Sequence, residues 1–341
     1  MKRIALINNK GGVGKTTLSY HLAHMFAHLG YRVLAADLDP QANLTSLFLG
    51  EEELEKIWPE HAQHQSIYGA LEKLSKGRGD IDLIDPVEIS TGSAAGALYL
   101  LPGDLALSGF EDTFSGDWAS ALGGDERAWV FLTSPQRLLH QLGDQHEIDI
   151  IIMDVGPNLG AINRVVITGA DNLVVPVAPD LFSLQGLRNL GPTLQRWRKG
   201  WVQRLDSGNP PADLTIFPGK MNPLGYVILQ HSTRNNRVVK AYKRWAEKIP
   251  ATYRQEMLAK PDASPVSPFD EDPYCLGTVK NYASLLPMAM EANKPVFALT
   301  AADGAIGSHI SNVQHARNTF KELALRIDQH AASLGPGHQA A

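Results

Sequence analysis

Apolar residues along this chain alternate between two patterns, and the alternation predicts the fold class. Short, nearly continuous apolar runs are each followed by stretches in which apolar residues recur at helical spacing. The first run is Ile4 to Ile7. Behind it Leu18, Leu22, Met25, Phe26 and Leu29 share one face, which predicts a helix, and Gly30 marks its end. Val33-Leu34-Ala35-Ala36-Asp37 then completes a βαβ unit. Further strands are predicted at Ile148 to Asp154, Leu173 to Val177, Tyr226 to Leu229 and Val296 to Leu299. Ile310, Val313, Ala316, Phe320, Leu323 and Ile327 predict a closing helix. Runs such as Ile150-Ile151-Ile152-Met153 have no polar alternate positions, as in strands buried on both faces. The expectation is an α/β protein with an open, mostly parallel sheet and helices on both faces.

Two stretches break the pattern. Residues 51–98 open on Glu51-Glu52-Glu53, and residues 249–277 hold Asp262-Ala263-Ser264-Pro265-Val266-Ser267-Pro268. Both read as insertions in a single domain spanning 1–330, followed by a flexible tail at 331–341. No internal repeat is present. The 341 residues carry a formal charge of -5, so any nucleic-acid contact must come from a local patch. A single cysteine, Cys275, excludes an internal disulfide and a four-thiolate cluster within the chain. The apolar run after Met1-Lys2-Arg3 is too short for a signal peptide, and no window approaches the roughly 18 apolar residues of a membrane span. A cytoplasmic location is expected.

The strongest chemical signal is Lys10-Gly11-Gly12-Val13-Gly14-Lys15-Thr16-Thr17, placed after a strand and before a helix. Glycines let backbone N–H groups turn inward around phosphate, and the helix N-terminus adds its own unpaired donors. Lys15 is expected to reach the β- and γ-phosphates, and the Thr16 hydroxyl to ligate Mg²⁺. The strict P-loop pattern asks for glycine at position 9, where this chain has Asn9. The variant that fits has an additional lysine, Lys10, ahead of the glycines.

Carboxylates follow where an α/β sheet presents its functional groups. Asp37-Leu38-Asp39-Pro40-Gln41 ends the second strand, with Asp37 and Asp39 on one side, near the phosphates. Asp37 is read as organising the Mg²⁺ shell and the loop. Asp149-Ile150-Ile151-Ile152-Met153-Asp154-Val155-Gly156-Pro157 places Asp154 at a strand's carboxyl edge, able to hold Mg²⁺ directly or through water.

From Ile4 to Asn43 the chain resembles the ParA/Soj branch of the deviant Walker A ATPases, within the ParA/MinD superfamily. Leu100-Leu101-Pro102-Gly103, Asn158-Leu159-Gly160 and Leu173-Val174-Val175-Pro176-Val177 extend the resemblance over about 1–50, 98–112, 145–230 and, weakly, 276–327. The resemblance implies ATP and Mg²⁺ as cofactors and ATP hydrolysis as the reaction. Lys10 would cross to a second subunit's phosphates, making an ATP-held dimer with catalysis partly in trans. Asp39 would align the attacking water and take part in the metal site, so Lys10, Lys15 and Asp39 form the implied catalytic set. The family has two prolines where this chain has Gly156-Pro157, which leaves that loop more freedom. The N-terminal DNA-binding domain of longer plasmid relatives is expected to be missing, because nothing precedes the first strand.

Two basic clusters stand out, Arg188, Arg196, Arg198, Lys199 and Arg204, and Arg234, Arg237, Lys240, Lys243, Arg244 and Lys248 around Trp245. The resemblance implies non-specific DNA binding by the ATP dimer, with Arg198, Lys199, Arg234 and Arg237 as candidate contacts and a ParB-like activator. Such a protein would partition plasmids or chromosomes and be nucleoid-associated. The alternative is a related ATPase positioning a protein cargo or serving another DNA-linked system, with 51–98 as its docking surface. A MinD-like membrane switch ranks lower, since residues 331–337 hold no basic amphipathic helix. A metabolic ligase on the same scaffold is disfavoured by Lys10 and Asp-Pro-Gln, and a reductase by the single cysteine. His21, His24 and His28 share a helix face and read as a surface stripe. Gln230 is a weak candidate for adenine contact.

Overall fold

The computed structural model describes residues 1–92, 94–229, 242–260, 268–282 and 284–333. Its strands are β1 (Lys2–Leu6), β2 (Arg32–Leu38), β3 (Val87–Ile89), β4 (Ala97–Leu101), β5 (Ile150–Val155), β6 (Asn172–Val177), β7 (Asn222–Leu229) and β8 (Cys275–Val279). They form one sheet in the order β3-β4-β2-β5-β1-β6-β7-β8. Every pairing is parallel except β3 with β4. The parallel sheet requires crossovers, which the helices supply.

Alternate strand residues feed two separate cores, which is why the strands lack polar alternation. Ala5, Ile7, Leu34, Ala36, Ile151, Met153 and Val175 face one core, and Ile4, Leu6, Val33, Ala35, Ile150, Ile152 and Val174 face the other. The first core is covered by α4 (Ile67–Ser75), α5 (Glu111–Ser120), α6 (Glu126–Leu132), α7 (Ser134–Gln145), α8 (Ala161–Thr168), α9 (Leu181–Ser207) and α10 (Ile249–Glu256). The second is covered by α1 (Lys15–His28), α2 (Asn43–Phe48), α3 (Glu51–Ile57), α11 (Leu286–Glu291) and α12 (Ser308–Ser333).

Several expectations need adjustment. β4 begins at Ala97 and β8 at Cys275, so each stretch read as an insertion ends in a strand of the sheet. The run Val296 to Leu299 is not a strand. Val296–Ala298 is a 3-10 turn set by Pro295 at φ -64, and Val296 and Phe297 plug the core beneath α12. The histidine stripe is not on the surface either. His21 and His24 are 3% and 6% exposed, because Phe48 of α2 and Phe320 of α12 cover that side of α1. The closing helix α12 buries Ala316, Phe320, Leu323 and Ile327 as expected, and Ile310 stays exposed. Residues 334–341 lie outside the described residues, as do Arg234, Arg237, Lys240 and Gln230.

Candidate functional site at the carboxyl edge of the sheet

β1 ends at Leu6 and delivers the chain to the sheet's carboxyl edge, where Asn8 pins the loop. Its side-chain amide donates to the Pro176 carbonyl at 2.5 Å, and its Oδ1 accepts from the Lys10 N–H at 2.8 Å. The loop then needs left-handed backbone at Gly12 (φ 72) and Gly14 (φ 89), a region that glycine enters without strain. Gly14 caps α1 without any side chain. Among the described residues, the backbone N–H groups of Gly11 to Thr17 find no acceptor. Seven such donors beside a helix N-terminus fit a polyphosphate.

Strand register sets the carboxylates. Leu6 and Asp37 both pair with Asp154, which puts Asp37 and Asp154 side by side on adjacent strands. Asp154 is fully buried and takes three donors. Thr16 Oγ1 donates to its Oδ2 at 2.8 Å, Ser19 Oγ to its Oδ1 at 2.8 Å, and Lys15 Nζ lies 3.4 Å from Oδ1. Burial pushes the Asp154 carboxyl up, opposed by the Lys15 ammonium and the two hydroxyls. Asp37 is pushed up to about 7, first by burial and then by the charge of Asp154.

Asp37 works on the loop rather than on the cavity. Its Oδ2 accepts from the Thr45 N–H at 2.7 Å and from Thr45 Oγ1 at 2.8 Å. The same hydroxyl accepts from the Gly103 N–H at 2.7 Å, tying the end of β4 to the start of α2. Asp39 lies at the next bend, 4% exposed, with its Oδ1 accepting from the Gln41 N–H at 3.0 Å. Gly156 approaches Asp39 so closely that a Cβ there would lie 3.1 Å from Oδ1.

Lys10 to Thr17, Asp39, Asn43 and Pro157 line one cavity of about 540 Å³, with Asp154 reached through Lys15 and Thr16. Gly12 to Gly14 and Thr17 also line a neighbouring slot of about 160 Å³, walled by Leu229, Val279 to Tyr282 and Phe320. Among the described residues no three His, Cys, Asp or Glu side chains gather to hold a metal alone. The Thr16 hydroxyl and the Asp154 carboxylate, 2.8 Å apart, offer two hard oxygen donors. That suits Mg²⁺, which completes its octahedron with phosphate oxygens and water.

Lys10 stands at the rim. Its Nζ lies 2.5 Å from Asp180 Oδ2 and 5.8 Å from the ring centroid of Phe182, which is 71% exposed. Asp180 caps α9 by accepting from the Ser183 N–H at 2.8 Å. Of the basic residues on α9, Arg204 is buried and donates to the carbonyls of Trp118 and Gly200. Arg198 is half-buried and donates to the Met221 carbonyl. Arg198 is therefore a poor DNA contact in this structure, whereas Lys199 is exposed. Asn8, Ser19, Thr45 and Asp180 were not singled out by the sequence. Ser19 is one turn beyond Lys15, and Asp180-x-x-Ser183 has cap spacing, but their partners lie far away in the chain.

The loop, the buried lysine and the strand-end aspartates define a P-loop nucleotide-binding protein. A family model described as AAA domain matches residues 1–206, and the chain belongs to that family. It is similar to a putative replication protein A of Rhizobium rhizogenes, 29% identical over 221 residues, covering 62% of this chain and 51% of that protein. It is also similar to the chromosome-partitioning ATPase Soj of Thermus thermophilus, 32% identical over 205 residues, covering 60% and 66%. The chain thus spans about half the length of the replication protein it matches. Among solved structures, protein DIP2308 of Corynebacterium diphtheriae superposes with a TM-score of 0.68 at 27% identity, covering 97% and 99% of the two chains. The pNOB8 ParA bound to nonspecific DNA has the same fold, with a TM-score of 0.58 at 19% identity, covering 97% and 99%. No helix among the described residues is long and apolar enough to cross a membrane.

Proposed function

We propose that this protein is an ATP-hydrolysing, nucleotide-switched dimer of the ParA type whose ATP form binds DNA non-specifically. The observation that carries the reading is the division of labour between two lysines. Lys15 is 6% exposed and faces Asp154 inside the cavity. Lys10 sits at the rim beside the exposed Leu181 and Phe182, paired with Asp180. In this reading one lysine serves the phosphates of its own chain and the other reaches those of a second copy.

The loop N–H groups and Lys15 bind and orient the triphosphate, and the slot beside Leu229 and Tyr282 takes the adenine. Thr16 and Asp154 hold Mg²⁺, which when bound supplies Lewis-acid charge at the β- and γ-phosphates. Asp39 holds the attacking water in line, since phosphoryl transfer depends mostly on positioning and electrostatics. A dimer doubles any basic surface, giving nucleotide control over a phosphate-driven, salt-sensitive contact. Arg188, Arg196 and Lys199 of α9 and the Lys243, Arg244 and Lys248 group around Trp245 are exposed, described cations of the two clusters. Plasmid or chromosome partitioning with a ParB-like activator, at the nucleoid, is the role this switch suits. The pNOB8 ParA, a protein of the same fold whose structure is bound to nonspecific DNA, supports it.

The deciding experiment is fluorescence anisotropy of a random duplex with ATP, ADP and no nucleotide. Wild type binds only with ATP. Lys15→Ala abolishes binding, and Asp39→Ala traps it by blocking hydrolysis. Binding that ignores nucleotide, or no binding at all, would shift the reading to an ATPase that positions a protein cargo.

A further inference from the structure

A separate cavity of about 470 Å³ opens at the opposite end of α1 from the phosphate loop. Its walls hold His24 and His28 of α1, Thr91, Asn293 and Lys294, and Arg317 of α12. No carboxylate lines it among the described residues. Arg317 is exposed and has neither an ion pair nor a hydrogen bond among the described residues. Lys294 shares its charge with Asp303 at 2.7 Å, outside the lining. Buried His24 contributes an Nε2 with no hydrogen-bond partner among the described residues. Pro295 and Phe297 supply an apolar floor.

An unpaired guanidinium, a second cation, two imidazoles, hydroxyl and amide donors and an apolar floor together describe one kind of ligand. Small-molecule sites combine a largely apolar wall with a few convergent polar groups, and guanidinium favours planar or tetrahedral oxyanions. We infer that this cavity is a second binding site, for a small organic anion, a phosphate or carboxylate joined to an apolar group. Arg317 and Lys294 take the anion, Asn293 and Thr91 orient it, and the apolar portion lies on Phe297. The site is one helical turn from His21, whose Nε2 accepts from the Val296 N–H at 3.2 Å behind the adenine slot.

The test is calorimetric titration of the full chain, saturated with ADP and Mg²⁺ to fill the phosphate loop, using phenyl phosphate, benzoate and inorganic phosphate as probes. Saturable one-to-one binding of phenyl phosphate or benzoate is expected, and the tighter of the two identifies the anion. Inorganic phosphate binds more weakly than phenyl phosphate. Arg317→Ala, a surface change that spares the fold, weakens binding about tenfold, as loss of one charge-assisted hydrogen bond does. Arg188→Ala, an exposed arginine on α9, leaves it unchanged. The titration is repeated in Lys15→Ala, so that failure of ADP to occupy the loop is not mistaken for failure of this site. Binding that survives in Lys15→Ala and drops in Arg317→Ala supports the proposal. Absence of saturable binding, equal affinity in Arg317→Ala, or a signal lost with Lys15 would overturn it.

Discussion

Lys10 Nζ lies 2.5 Å from Oδ2 of Asp180, across the mouth of the cavity that Lys15 occupies from within. The pair is half-exposed, at 28% and 35%. Burial works to raise the Asp180 carboxyl, yet the Lys10 ammonium and the Ser183 N–H hold it below the usual carboxylate range. A pair this open is worth at most about 1 kcal/mol. A triphosphate bearing several charges can displace it, so in the proposed dimer Asp180 would release the lysine to the second copy.

Asp180→Asn should ease dimerisation. Asparagine keeps the α9 cap and removes the charge that competes for Lys10. Up to about 1 kcal/mol of competition per subunit, removed twice in a symmetric dimer, corresponds to as much as a roughly thirtyfold lower dimer dissociation constant with a non-hydrolysable ATP analogue. Sedimentation equilibrium measures it. An unchanged or higher constant would show that Asp180 does not compete with the second subunit's phosphates.

Gly156 governs where Asp39 can sit. A Cβ at position 156 would meet Asp39 Oδ1 at 3.1 Å and Asn163 Nδ2 at 3.4 Å. Asn163 Nδ2 in turn donates to the Gly156 and Asn158 carbonyls at 2.9 and 2.7 Å, so the loop has little room to yield. Gly156→Ala is expected to move the Asp39 carboxylate by a few tenths of an ångström. Hydrolysis should fall about five- to tenfold while ATP affinity holds, because misplacement penalises positioning more than binding. Phosphate release and equilibrium binding separate the two, and equal turnover in the variant would exonerate the contact.

Local pattern revealed much of this, and long-range pairing hid the rest. Val33 to Asp37 and Ile148 to Asp154 read as strands because both of their faces are apolar, and the two-core packing of Ala35, Ala36, Ile151 and Ile152 bears that out, with the second strand starting at Ile150. The loop was legible because Gly12, Gly14 and Lys15 must lie adjacent in sequence to surround one phosphate chain. Ala97–Leu101 escaped as a strand because it closes a stretch of mixed composition, and its pairing with Arg32 to Ala36 alone identifies it. The histidines misled for a similar reason, since α1 shows no sign that Phe48 and Phe320 will close over it. Val296-Phe297-Ala298-Leu299 has strand composition, but a proline ahead of it and a core beneath it make it a turn.

Thr45 is a single joint between two carboxyl-edge loops. Its hydroxyl donates to Asp37 at 2.8 Å and accepts from the Gly103 N–H at 2.7 Å, all fully buried. Thr45→Val keeps the shape, leaves the Gly103 N–H without an acceptor and takes one donor from Asp37. The expected cost is about 1–3 kcal/mol, the penalty for a buried group left unpaired. Urea unfolding should show a lower midpoint at unchanged slope, and Thr45→Ser should restore most of it. A midpoint in Thr45→Val equal to wild type would mean that water replaces the hydroxyl.

The histidines of α1 set an acid limit on the fold. Burial holds His21 down to about 4, and burial with the neighbouring His21 holds His24 down to about 3, against an ordinary value near 6.5. Both are neutral in the folded chain, whereas the unfolded chain protonates them below about 6.5. The unfolded state therefore binds more protons in this window, and stability rises with pH. The contribution is complete above about 6.5 and is lost as pH falls toward 4, on the order of 3 kcal/mol through His21 alone. His24→Phe isolates the second imidazole. The His24 ring centroid lies 4.6 Å from that of Tyr20 and 5.4 Å from that of Phe48, and its Nε2 bonds to nothing among the described residues. A phenyl ring fits that aromatic site at little cost near pH 7.5. Asp37, pushed up to about 7, works in the opposite direction over the same window, so the readout is the difference: the urea midpoint of wild type should drop relative to that of His24→Phe as pH falls from 7.5 to 4.5. Parallel curves for the two proteins would place the acid sensitivity outside this helix.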